Sequence, residues 1–104
     1  LTDLLREMGY RRVNLVAEAG EFAVRGGIVD VFPVLEEHPY RIELFGDEVE
    51  TVRAFDLETQ RSFRTEEHLS ILPAREPEGG HSVYRALPGH RIVHLGEIPA
   101  GEGR

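Results

Sequence analysis

The chain contains no cysteine, which excludes disulfides and thiolate chemistry and fits a cytosolic protein. No apolar run approaches the roughly 20 residues of a membrane-spanning helix, and no signal-peptide pattern opens the sequence. A chain that starts on Leu1 rather than Met reads as a piece of a longer protein. Basic residues are in short supply: 12 Lys and Arg face 19 Asp and Glu, for a net charge of -7. Domains that bind duplex nucleic acid usually carry a basic face, so this balance argues against one. A phosphate-cradling loop is missing too, because Gly26-Gly27 sit between strand-like runs with no lysine in that stretch. No serine occupies a nucleophile-elbow setting. Of the five histidines (His38, His68, His81, His90 and His94) only the last two are close, and they fall where the chain reads as extended. The helical spacing that converges two histidines on zinc is therefore not met. Asp30, Glu43, Asp47 and Asp56 could gather a magnesium ion, but solvated strand edges and turns explain them equally well. These absences together argue against an autonomous enzyme.

What remains is a globular composition. Over 104 residues, 40% are hydrophobic and 30% charged, which suits one domain with a modest core. "LTDLLREMG" reads as a short helix, capped by Thr2 or Asp3, with Leu4, Leu5 and Met8 as its apolar stripe and Gly9 as its stop. "RRVNLVAEAG" alternates Val13, Leu15 and Ala17 against Asn14, Val16 and Glu18, which predicts a first strand. "GEFAVRGGIVDVFP" predicts a hairpin with a two-residue loop at Gly26-Gly27, both in positive φ. That register opposes Val24 to Val29 and Phe22 to Val31 and makes these four one apolar layer. Its other face holds Glu21, Ala23, Arg25, Ile28, Asp30 and Phe32, and most of those charges read as the wet side of the sheet. Pro33 ends the strand.

"YRIELFGDEVETVRAFD" repeats the device. A turn at Gly46-Asp47 opposes Leu44 to Val49 and Ile42 to Thr51. Tyr40, Ile42 and Leu44 then point inward, while Arg41, Glu43 and Phe45 face the other way. "LETQRS" reads as a turn, "HLSILPA" as a short strand ending at Pro73, and "EPEGG" (76 to 80) as a linker. Beyond it, "HSVYRALPGHRIVHLGE" predicts a helical turn and then a strand from Arg91 to Leu95; the final "PAGEGR" reads as frayed. The fold class expected is α+β: a twisted, largely antiparallel sheet of two hairpins plus flanking strands, with the N-terminal helix on one face. An aromatic such as Phe45 on the polar face of a strand is either covered by another part of the chain or kept for a partner.

Two long stretches, "MGYRRVNLVAEAGEFAVRGGIVDVFP" and "PYRIELFGDEVETVRAFDLETQRS", are followed by "ILPARE". In this order they resemble the UvrB-homology module of the bacterial transcription-repair coupling factors, the Mfd family. The match runs over residues 7 to 76, and "FDLETQRS" is closer to that family than to the "FDPLTG" form of the repair helicase subunit UvrB. The resemblance implies a non-catalytic module that docks onto UvrA, the damage-recognition ATPase, and brings repair to a stalled RNA polymerase. Docking in the family involves the arginines of "V-R-G" and "R-x-E-x-F" with the acid and aromatic of the second motif. Those positions are Arg25, Arg41, Glu43 and Phe45 here, with Arg12 of "YRRVN" as a further basic position. Ala23 stands where UvrB often has an arginine, so one UvrB-type contact is missing. The resemblance also implies a parent protein that is an ATP-dependent DNA translocase and holds this module masked until it engages polymerase. Residues 1–76 are expected to form the interaction domain, and 77–104 a linker with a short helix or strand left from the adjacent domain. The module is expected to be a cytoplasmic monomer with no cofactor, metal, membrane or direct nucleic-acid contact. The equivalent domain of UvrB, a small nucleic-acid-binding β domain, a metal-dependent nuclease and a structural spacer are the alternatives.

Overall fold

A computed structural model describes residues 1–74, 80–89 and 93–99. It opens with one helix, α1 (Thr2–Glu7). The expected cap at Thr2 or Asp3 is corrected: Leu1 holds the N-cap position without a side-chain bond, and Asp3 instead places its carboxylate in the first turn. Leu5 and Met8 are buried as the stripe requires, with Leu1 and Leu4 half-buried beside them. Gly9, at φ 90°, stops the helix. The Gly9 N–H donates to the Arg6 carbonyl and the Tyr10 N–H to that of Leu5, the Schellman pattern that needs a left-handed residue there.

The next stretch departs from its expected strand. Only Arg11–Arg12 (β1) pair, and they run parallel to β2 (Glu21–Arg25). The alternation is also inverted, with Val16 buried and Leu15 61% exposed. The cause is Glu21, whose Oε1 accepts the N–H groups of Ala17 (2.9 Å) and Glu18 (3.1 Å) and whose Oε2 pairs with Arg11. These bonds bend residues 13–19 back over the sheet, where Val16 packs with Ala23 and Phe32.

From β2 onward the chain is an antiparallel meander through β3 (Ile28–Val31), β4 (Tyr40–Phe45), β5 (Glu48–Phe55) and β6 (Ser62–Thr65). With β1 these form a six-stranded mixed sheet in sequence order. The first hairpin has the expected register, Val24 against Val29 and Phe22 against Val31. Its loop needs glycine for two different reasons. Gly26 alone takes a positive φ (57°). Gly27 is needed for space, because a Cβ there would lie 2.9 Å from the Leu44 carbonyl oxygen. The Gly27 carbonyl in turn accepts the Leu44 N–H at 2.7 Å, which locks the hairpin onto β4.

The second hairpin matches at its turn, Leu44 against Val49, but not beyond it. A bulge between Glu43 and Leu44 sets Ile42 opposite Val52 rather than Thr51, and Glu43 opposite Thr51. β6 lies outside the expected elements; all four of its residues are exposed, so "SFRT" carries no apolar alternation to read.

A second, three-stranded sheet contains β7 (Leu69–Ile71), β8 (Gly80–Ala86) and β9 (Val93–Pro99). The helical turn expected after residue 80 is thus a strand, paired with β7 as well as β9. The last strand starts at Val93; Arg91 and most of "EPEGG" lie outside the described residues. The described residues are therefore mostly β, with a single six-residue helix among them. No helix among the described residues is long and apolar enough to cross a membrane.

The main core forms on one face of the large sheet. Phe22, Val31, Ile42 and Val52 are fully buried there, joined by Leu5, Ile71 and Ala86 from the surrounding elements. Burying a side chain of this size contributes about 2 kcal/mol. Tyr10 ties the periphery together: its hydroxyl donates to the Leu72 carbonyl at 2.8 Å and accepts the Val34 N–H at 3.1 Å. Burial pushes that phenol's pKa up.

Gly26→Asn keeps a residue tolerant of positive φ in open space and should leave the melting temperature nearly unchanged, whereas Gly27→Ala should cost about 1 kcal/mol or more. Equal melting shifts for the two variants would refute the distinction. Glu21 is held below the ordinary glutamate pKa, chiefly by the Ala17 N–H. A depressed carboxyl stabilises the fold above its unfolded pKa and loses that contribution as pH falls through the folded one. The stability gap between the parent and Glu21→Gln, measured by urea melts, should therefore be present at pH 7 and shrink below the ordinary value of 4.5. A gap independent of pH would contradict it.

Candidate docking face

The second face of the large sheet is only half covered. Register places Ala23, Asp30, Arg41 and Arg53 in one cross-strand row and Arg25, Ile28, Glu43 and Thr51 in the next. The first row lies beside the small Val16–Ala23–Phe32 cluster at one edge and the buried Phe55 at the other. The second row, with Phe45 beyond it, lies toward the two hairpin turns, which share one end of the meander. The exposed half of this face is therefore at that end.

Two expectations about its charges are corrected. Glu21 and Asp30 are not wet; they are 6% and 2% exposed. Arg41 does not face water either, since its side chain is 16% exposed. Asp30 and Arg41 stand directly opposite each other on β3 and β4. Arg41 Nε donates to Asp30 Oδ1 at 2.7 Å, and Nη2 donates to Oδ2 at 2.9 Å, the bidentate fork that matches guanidinium to carboxylate. Arg41 also donates to the backbone carbonyl (3.2 Å) and side-chain oxygen (3.1 Å) of Gln60, a residue at φ 65°. Its guanidinium lies 4.2 Å from the centre of the Phe55 ring. The bonds to Asp30 raise the Arg41 pKa further above its already high ordinary value. Breaking one partner of such a buried pair strands a charge and typically costs roughly 3–5 kcal/mol. Substituting Arg41 therefore probes the fold before it probes any surface.

The other candidates behave differently. Arg25 is 57% exposed in its side chain and gives Asp30 Oδ2 one bond, at 3.2 Å. Glu43 accepts a hydrogen bond from the Thr51 hydroxyl and lies 3.5 Å from Arg53. That partnership offsets the like-charge pairing of Arg41 and Arg53 across β4 and β5. Phe45 is 73% exposed, so among the described residues nothing covers it. It borders an open groove of about 550 Å³ lined also by Glu43, Glu48, Glu50 and Arg53. The structure thus brings Arg25, Arg41, Glu43 and Phe45 onto one face.

Arg12 is not brought to them. It is exposed on β1 and registers with Phe22, which belongs to the core face. Sequence reasoning also missed two contributors. Asp30 became an organising residue only through the β3–β4 register, for which no local signal exists. Glu50 reached the rim through the β4–β5 bulge. Among the described residues no three His, Cys, Asp or Glu side chains converge as metal ligands. Both Asp30 oxygens are engaged by arginines, and Asp56 caps its own turn at the Glu58 and Thr59 N–H groups.

A family model described as the UvrB interaction domain matches residues 1–76. The transcription-repair-coupling factor of Bacillus subtilis is 46% identical over 76 residues, covering 73% of this chain. That of Escherichia coli is 44% identical over 72 residues, and that of Staphylococcus haemolyticus 50% over 72, each covering 69% of the chain. The aligned region is 6% of the length of each of these relatives. The residues that build the large sheet, its two hairpins and the half-covered face all fall inside the matched span, and the chain belongs to the UvrB interaction domain family.

Proposed function

We propose that this domain is a non-catalytic docking module that binds UvrA and so recruits nucleotide-excision repair to a stalled RNA polymerase. The observation that carries the reading is Phe45, a large aromatic left 73% exposed on the same sheet face as Arg25 and Glu43. Aromatic and arginine anchors dominate the energy of protein interfaces, especially where a scaffold fixes them. Family membership and the coupling-factor relatives supply the biological context. Arg25 offers its guanidinium to a partner carboxylate, Phe45 fills an apolar socket, and Glu43 sets register between them. Arg41 supports the same face from beneath, and Arg12, exposed on the β1 edge away from that face, offers a separate basic contact. Residues 1–76 carry the module, and β8 completes its core through Ala86. On this reading it works as a cytoplasmic monomer within a longer DNA-translocating protein, without a cofactor of its own.

The partner is tested by calorimetry with purified UvrA. Phe45→Ala should lose ~2 kcal/mol or more of binding free energy, as expected of a hot spot. Its melting temperature should stay that of the parent, since the ring it removes contributes little buried area. Parental affinity in Phe45→Ala would remove this face from the interface. Absence of UvrA binding by the parent chain would overturn the reading itself.

A further inference from the structure

Asp30 sits in the middle of β3, beneath the docking face, with 2% of its surface exposed. Its Oδ1 accepts from Arg41 Nε at 2.7 Å, and its Oδ2 accepts from Nη2 of Arg41 (2.9 Å) and of Arg25 (3.2 Å). One buried side chain therefore orients two guanidinium groups that come from different strands. The donors divide unequally between them. A guanidinium has five N–H groups. Arg41 directs two at Asp30 and two at Gln60, so four of the five are consumed inside the protein. Arg25 directs one at Asp30, and among the described residues its other N–H groups meet no protein acceptor. Arg41 holds the scaffold, and Arg25 presents donors.

We infer that Asp30 is a positioning residue for partner docking, holding the Arg25 guanidinium in the orientation that receives a carboxylate of UvrA. The inference rests on the proposed function above. Arg25 ends β2 at a hairpin turn, where a long side chain without an anchor would sample many rotamers. Anchoring one edge of its fork leaves the rest pre-organised, so less freedom is lost on binding. Two carboxylates on one guanidinium, one internal and one from the partner, are compatible with its fixed planar donor geometry.

The test combines a measurement that needs no partner with one that does. Asp30→Asn removes the carboxylate while keeping its shape. It also strands the Arg41 charge, so the charge-balanced Asp30→Asn, Arg41→Gln variant is made beside it and decides the matter should the single variant fail to fold. NMR of the Arg25 guanidinium should show an ordered side chain in the parent and a mobile one in each folded variant. UvrA affinity should fall about tenfold on Asp30→Asn, the size of one charge-assisted hydrogen bond. In an Arg25→Ala background the same change should alter affinity less than about twofold, because coupled residues are non-additive. An Arg25 side chain that stays ordered without the carboxylate overturns the inference. So does an undiminished effect in the Arg25→Ala background, which would mean that Asp30 acts through the fold. A parent chain that fails to bind UvrA sinks the proposed function instead, and the NMR comparison still decides whether Asp30 positions Arg25.

Discussion

The ion pair between Asp30 and Arg41 is the constraint on which the second face of the sheet depends. A carboxylate this buried is tolerable only when its oxygens are filled, and here three N–H donors from two arginines fill them. That requirement favours this register of β3 against β4, because a slip of one residue would carry Arg41 to the core face and leave Asp30 only the single bond from Arg25. The same arginine reaches across to Gln60 and covers Phe55, so the loop after β5 is tied to the centre of the sheet. Packing on the opposite face supplies most of the stability; this pair supplies the arrangement.

From that arrangement the exposed half of the face follows. Arg53 opposite Arg41 would repel it, and Glu43 and Asp30 on either side offset the repulsion. The β4–β5 bulge then turns the strand ends so that Phe45, Glu48 and Glu50 rim one open groove. The result is a mixed surface, with Arg25 at one side and, at the other, a groove where Phe45 borders three acids and Arg53. Such a surface selects a complementary partner rather than adhering to any apolar one, which suits a module carrying charge of both signs within an acidic chain.

Local pattern made the core readable. Alternation around Gly26-Gly27 places Phe22, Val24, Val29 and Val31 on one layer, and the layer exists as expected. The same logic failed where non-local bonds intervened. Residues 13–17 alternate convincingly, yet the side chain of Glu21 captures the N–H groups of Ala17 and Glu18 and turns the segment into a loop. The bulge at Glu43 displaced one expected pairing while sparing the one beside the turn. β6 has no buried residue to betray it, and β8 carried too little periodicity to separate strand from helical turn. For the candidate site, motif resemblance selected Arg25, Arg41, Glu43, Phe45 and Arg12, and the fold gathers the first four on one face but leaves Arg12 apart on β1. What no motif conveyed was the difference between them: Arg41 is held within the structure by a carboxylate eleven positions earlier in the chain, and Arg25 is left to reach outward. That distinction lives in cross-strand pairing, which residue types alone do not encode.

The central claim is that this sheet face, at the end where the two hairpin turns meet, is where UvrA docks. Amide hydrogen exchange of the chain with and without purified UvrA tests it most directly. The account predicts slowed exchange at Arg25 to Ile28 and from Glu43 to Thr51, with Leu69 to Ile71 on the second sheet unchanged. Slowed exchange confined to α1, β7 or β8, with both hairpin turns unaffected, would contradict it.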